Sequence, residues 1–301
     1  MNRSPVRVTL ALGSGSAWGY AHIGVLQSLE ELGITPVAVA GTSMGSLIGG
    51  LFAAGISAER MANIAKTVDL KTVAKIFAPS LHLSGLISGR GVYRYLRDLI
   101  GEPCIEKLDK PFCAVAMDLV SGEEIVFTQG SLLGAIRASI SIPVVFSPVV
   151  ADNRVLVDGG LVDPVPVDMA RKLAPDCPVV AVNVLQSVPR LNRVRSVEAP
   201  VKNEMEVPGI GDLLRARLEG NRKHIPSLAE VTLRTLGAGQ SEIAVLRLKT
   251  DRPDAIIEPN LRTMRMSDFH RASSAIKAGR DATVRSINPS VVERLRRFPD
   301  E

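Results

Sequence analysis

Cysteine and histidine are too few and too scattered to build a metal or disulfide framework. The three cysteines, Cys104, Cys113 and Cys177, form no CxxC pair, and the four histidines stand at no ligand spacing to them. That excludes a zinc site and leaves reduced thiols or small buried hydrophobes as the expected state of the cysteines. No Asp/Glu-rich calcium loop is present either. Long apolar runs are missing: the longest, Leu47 to Ala54, falls far short of the roughly 18 residues that span a bilayer. The apolar stretch after Arg7 is short and enters a glycine-rich turn, so it reads as a first strand rather than a signal peptide. A cytoplasmic protein is expected, free to touch the inner membrane surface. Aromatics make up only 4% of the chain, and the net charge is a modest +5. An arginine-rich solvated surface fits that balance better than a nucleic-acid groove, so no nucleic-acid partner is expected.

What is present is ample apolar material. Hydrophobic residues are 46% and charged residues 22% of 301, enough for a core without staples. Val6 to Leu12 reads as a buried strand. Ile23, Val25, Leu26, Leu29 and Leu32 then recur at helical spacing up to Gly33. Val37 to Ala40 is a second strand, followed by a helix of small residues ending near Gly55. Strand, turn and helix repeated twice predict a mainly parallel sheet covered by helices, an α/β fold. Ser57 to Ile100 reads as mostly helical, and Leu132 to Ser139 as a helix. Phe112 to Asp118, Glu124 to Thr128, Val155 to Val157, Val179 to Val184 and Ile243 to Leu248 read as strands. Gln186 to Pro208 is polar, basic and broken by prolines, which predicts a flexible excursion. Ile210 to His224 carries Leu213, Leu214 and Leu218 beside Arg215, Arg217, Arg222 and Lys223. That pattern predicts a short basic amphipathic helix suited to transient contact with an anionic membrane.

Three turns carry candidate chemistry. Gly13-Ser14-Gly15-Ser16-Ala17-Trp18-Gly19 lies between a strand and a helix. Such a loop can cradle phosphate, turn toward a dinucleotide or donate N–H groups to an oxyanion. A dinucleotide site needs an acidic residue at the end of the second strand, which here ends Val39-Ala40-Gly41. A Walker A loop needs a lysine that this turn lacks. The oxyanion reading survives. Gly41-Thr42-Ser43-Met44-Gly45 matches GxSxG between a strand and a helix, the setting in which a sharp turn exposes a serine hydroxyl. Asp158-Gly159-Gly160 places an aspartate at a strand end; alone it reads equally as an Asx-turn. A nucleophilic serine needs a base, and the histidines are His22, His82, His224 and His270. His22 shares a face with Leu26 and Leu29, and His224 and His270 lie in charged segments. Ser43, Asp158 and His270 follow the chain order of an α/β-hydrolase triad, but only two strands precede Ser43 where such enzymes have several.

Taken together the three turns resemble the patatin-like phospholipase family, which carries a glycine-rich oxyanion loop, then GxSxG, then an Asp-Gly-Gly turn. The resemblance extends to Ala21-His22-Ile23-Gly24-Val25-Leu26 and to Ala138-Ser139-Ile140-Ser141-Ile142-Pro143. It covers about residues 6–185 well and the remainder loosely. It implies one hydrolase domain over 1–301, built as a three-layer α/β/α sandwich. It also implies lipid ester substrates, phospholipids or lysophospholipids, and a Ser-Asp dyad that needs no cofactor or metal. On that basis Ser43 is the nucleophile and Asp158 its base. Gly13, Ser14, Gly15, Ser16 and Met44 form the oxyanion hole, and Gly41, Gly45, Gly159 and Gly160 shape the turns. Trp18 stands where the family usually has Arg or Lys, which removes a cation beside the oxyanion loop.

Overall fold

The computed structural model describes residues 5–67, 87–185 and 228–298. His82 and His224, the proposed excursion at 186–208 and the basic segment at 210–224 lie outside them. The described strands form one sheet: β1 (Val6–Leu12), β2 (Ile34–Thr42), β3 (Phe112–Asp118), β4 (Glu124–Phe127), β5 (Val149–Ala151), β6 (Arg154–Asp158), β7 (Val179–Val182) and β8 (Ala255–Ile257). Their order is β5-β6-β3-β2-β1-β7-β8, with β4 paired to β3. From β3 through β8 the neighbours are parallel, whereas β4, β5 and β6 join antiparallel. The sheet is therefore mainly parallel.

The helices are α1 (Ala21–Glu31), α2 (Met44–Ala53), α3 (Ala58–Thr67), α4 (Arg90–Ile100), α5 (Leu132–Ser139), α6 (Val167–Leu173), α7 (Leu228–Asp251), α8 (Ala272–Ser286) and α9 (Pro289–Arg297). Alternation along the strands assigns them to two layers. Leu10, Leu12, Val39, Val180 and Val182 face a core shared with Ile23, Leu29, Ile48 and Ile276 of α1, α2 and α8. Their neighbours Ala11, Ala40, Cys113, Val179 and Ala181 face the opposite way, against Val167 and Ala170 of α6 and Ala244 and Leu248 of α7. The result is the three-layer α/β/α sandwich. No helix among the described residues is long and apolar enough to cross a membrane.

One expected element is overturned. Ile243 to Leu248 is not a strand but part of α7. Gln240, Ser241, Ala244 and Leu248 are buried while Leu246 is exposed. That is a helical face at spacings of three and four, hidden within a short apolar run of the kind whose period is ambiguous. The strand of this region is β8, three residues long and beyond the helix. The stretch 57–100 holds α3 and α4, with residues 68–86 undescribed. The helix expected from Ile23 up to Gly33 is α1, entered through a 3-10 turn, Ser16–Tyr20.

β1 is the point where the order reverses, with β2 and β3 on one side and β7 and β8 on the other. Ligand crevices of open α/β sheets form outside the carboxyl ends of strands at such a point. The turns after β1 and β2 both emerge there, because Leu12 pairs in register with Gly41. β6 runs antiparallel to β3, and Asp158 at its end pairs in register with Ala116.

Candidate active site

Ser43 sits on the turn from β2 into α2 with φ 54° and ψ −120°. A non-glycine residue there is strained by about 1–3 kcal/mol, so its surroundings must hold it. The Ser43 N–H donates to Ser139 Oγ at 2.8 Å, and Ser139 Oγ donates to the Val115 carbonyl at 2.6 Å. Ser46 Oγ donates to the Ser43 carbonyl at 2.6 Å, and Thr42 Oγ1 to the Asp163 carbonyl at 2.8 Å. The turn also demands close backbone approach. A Cβ on Gly45 would strike the Leu12 carbonyl, and one on Gly159 would strike that of Val115. Backbone cannot yield as a side-chain tip can. Gly45→Ala is therefore expected to cost about 1–3 kcal/mol, read as a lower urea midpoint at unchanged slope.

Asp158 closes the site from β6. Its Oδ2 accepts from Ser43 Oγ at 2.5 Å, and its Oδ1 accepts from the Gly160 N–H at 2.8 Å. Both residues are almost fully buried, Ser43 at 3% and Asp158 at 1% exposure. Burial pushes the Asp158 carboxyl up to about 6, against the pull of its bonds from Ser43 and Gly160. A carboxylate poised there is charged at neutral pH yet basic enough to accept a proton.

No described histidine stands between the two. His22 is fully buried and its Nε2 lies 2.8 Å from the Gly13 carbonyl. Burial lowers its pKa to about 4, so the ring is neutral and donates that bond. It braces the glycine-rich turn. His270 is exposed on the short turn Phe269–Arg271 and bonds to neither Ser43 nor Asp158. The Ser43–Asp158–His270 order has no counterpart in space, because the aspartate meets the serine directly.

The glycine-rich turn divides into two halves. The N–H groups of Gly13 and Ser14 are committed to the carbonyls of Val182 at 3.0 Å and Pro164 at 2.8 Å. They anchor the loop and are not free for an oxyanion. Gly15 follows, and Ser16 opens the 3-10 turn with φ 51°. The first N–H groups of a helical turn have no partner within it. The same holds for Met44, the first residue of α2. Trp18 is half-buried and turned aside: its indole N–H donates to the Met264 carbonyl at 3.0 Å. It packs as structure.

Ser16, Ser43 and Met44 border a largely apolar cavity of about 140 Å³, walled by Leu47 and Ile48 of α2, Met61 of α3 and Leu96 of α4. Of these wall elements only α2 belongs to a motif. Nothing in the local spacing of α3 and α4 signals that they meet over Ser43. Ser139 and Ser46 were also missed as supports, although Ser139 lay in a stretch already noted for its resemblance.

A sequence model of the patatin-like phospholipase family matches residues 10–171, the span that holds all three turns. An uncharacterized NTE family protein of Mycobacterium tuberculosis is 33% identical over 332 residues, covering 94% of this chain and 92% of its own length. The chain belongs to the patatin-like phospholipase family. A second uncharacterized NTE family protein of M. tuberculosis is 32% identical over 91% of this chain and 45% of its own length. The mouse patatin-like phospholipase domain-containing protein 6 is 33% identical over 59% of this chain and 13% of its own. The family is one of lipid hydrolases, and the matched span holds both Ser43 and Asp158.

Proposed function

We propose that this protein is a phospholipase A or lysophospholipase that cleaves carboxylic esters through an acyl-Ser43 intermediate, with Asp158 as its sole base. The observation that carries the reading is the 2.5 Å bond from Ser43 Oγ to Asp158 Oδ2 beside a predominantly apolar cavity. In the first half-reaction Asp158 takes the Ser43 proton as Oγ bonds to the ester carbonyl carbon. Asp158 then returns that proton to the departing alcohol. In the second half water loses a proton to Asp158 and attacks the acyl-serine, and the proton goes back to Ser43 Oγ as the acid leaves. The tetrahedral oxyanion is met by the N–H groups of Gly15, Ser16 and Met44, each worth about 3 kcal/mol where essential. The acyl chain lies along Leu47, Ile48 and Leu96, whose burial of each methylene adds about 0.8 kcal/mol.

Two measurements test this. A fluorophosphonate probe should label Ser43, and a panel of phospholipids and lysophospholipids should release free fatty acid; no labelling and no release would end the reading. The cavity makes a further expectation specific. Leu96→Trp should lower kcat/KM for long-chain esters at least 10-fold relative to butyrate, since even one methylene is worth about that much in a fitted pocket. Equal losses on both chain lengths would remove the cavity from the acyl path.

The basic segment at 210–224 is proposed as a reversible contact with anionic membrane. Each basic residue near such a surface contributes on the order of 1 kcal/mol, weakened by salt. Replacing Arg215, Arg217, Arg222 and Lys223 by Ser should reduce co-sedimentation with anionic vesicles; unchanged sedimentation would discard the segment.

A further inference from the structure

On the sheet face opposite the apolar cavity, three carboxylates from three different elements converge. Glu124 on β4, Asp163 after the Asp158 turn and Asp168 on α6 each present an oxygen within 4.8 Å of the others. Asp163 is fully buried, and neither of its side-chain oxygens has a hydrogen-bond donor. Glu124 Oε1 is likewise buried without one. Buried carboxylate oxygens are ordinarily satisfied, because an unmet charged acceptor is among the costliest groups in a fold.

The nearby cations do not meet this demand. Arg247 on α7 reaches Glu124 Oε2 at 2.8 Å but stands 3.9 Å from Asp163 Oδ1 and 3.9 Å from Asp251 Oδ2. Lys172 lies 3.5 Å from Asp168 Oδ2. Arg171 also acts on Asp251, so among the described residues three cations face the four carboxylates Glu124, Asp163, Asp168 and Asp251. Asp168 Oδ1 also accepts from the Met169 N–H at 2.8 Å. Within the converging trio, the oxygens without a hydrogen-bond donor are both of Asp163 and Oε1 of Glu124, and only Asp163 Oδ1 has even a distant cation, Arg247 Nε.

We infer that Glu124, Asp163 and Asp168 bind a hard divalent cation of the size of Ca2+. Oxygen-only donors select such ions over zinc or copper. Ca2+ takes oxygens at about 2.3–2.6 Å, so ligands on opposite sides of it stand up to about 5 Å apart. Three oxygens all within 4.8 Å of one another fit inside that span, and water would complete the shell. The ion's place is structural. Asp163 follows Asp158 by one turn, and its carbonyl accepts from Thr42 beside Ser43. A cation there would fasten the segment carrying the base to β4 and α6, out of reach of any substrate in the cavity. Three ligands scattered over 45 positions of sequence explain why no calcium loop was legible.

The test uses the full chain stripped with EDTA. Titration calorimetry with CaCl2, MnCl2 and MgCl2 should show saturable uptake of one Ca2+ or Mn2+ per chain, with Mg2+ weaker. At ten times its dissociation constant Ca2+ should raise Tm by about 2 °C. Asp168→Asn, at a half-buried position, should weaken uptake at least 10-fold, and Asp163→Asn should abolish it. In EDTA the Asp163→Asn protein should melt no lower than wild type, because it has shed a buried carboxyl that lacks a hydrogen-bond donor; in Ca2+ it should melt lower. Glu30→Gln, far from the cluster and exposed, should bind as wild type. Wild type that takes up neither Ca2+ nor Mn2+ at millimolar concentration overturns the site. So does an unchanged Tm rise in Asp168→Asn. Should Asp163→Asn fail to fold, Asp168→Asn decides alone.

Discussion

Ser43→Ala is expected to lower kcat on lipid esters by about a million-fold, the scale on which loss of a nucleophile registers in serine hydrolases. Far-ultraviolet circular dichroism should stay that of wild type, since the backbone turn is held by Ser139, Ser46 and Thr42 rather than by the Ser43 hydroxyl. Asp158→Asn should cost nearly as much, because no described histidine can replace the base. The informative measurement is the double variant. Two residues that act as one unit lose their effect once, so Ser43→Ala/Asp158→Asn should be no slower than Ser43→Ala alone. Losses that multiply would mean that the residues act in separate steps, and the dyad would fall. His270→Ala is expected to keep most of its activity, as befits an exposed ring outside the site.

The site was legible to the degree that its parts are local. Each of the three turns is a run of small residues whose reason lies within a few positions. Gly45 must clear Leu12 and Gly159 must clear Val115, and a glycine records such constraints wherever they arise. The support of Ser43 was less legible. Ser139 and Ser46 look like ordinary helix serines until the strand end and the helix meet around the turn. The oxyanion assignment was too generous for the same reason: only the paired carbonyls of Val182 and Pro164 reveal that Gly13 and Ser14 have spent their N–H groups. The sheet itself followed from its apolar runs, except at β5, β8 and α7. There two three-residue strands were invisible, and a six-residue stretch interrupted only by Arg247 concealed a helix. The walls of the cavity come from α3 and α4, whose spacing predicts helices but says nothing of what they cover.

Asp158→Asn also makes a prediction that no account based on damage to the fold can share: the inactive variant should be the more stable protein at pH 8. The ordinary aspartate value is 3.8, and burial carries Asp158 to about 6 in the folded state. A folded pKa above the unfolded one means that the native state holds its proton more tightly. The associated stability is present below pH 3.8 and is lost as pH rises through about 6. Above that window the ionised, buried carboxylate costs the fold about 3 kcal/mol. Asparagine removes that charge, and its side-chain oxygen can still accept from the Gly160 N–H. The variant should therefore melt several degrees above wild type at pH 8, and the gap should close between pH 6 and pH 4. The same ionisation governs turnover with the opposite sense. Only the charged form can take the Ser43 proton, so kcat/KM of wild type should fall tenfold per unit as pH drops below about 6 and be level above it. Scanning fluorimetry on both proteins across pH 4–8, beside the pH–rate profile, reads both limbs. If Asp158→Asn melts below wild type at pH 8, or if activity persists undiminished at pH 4.5, Asp158 is not the strained base that its buried place beside Ser43 requires.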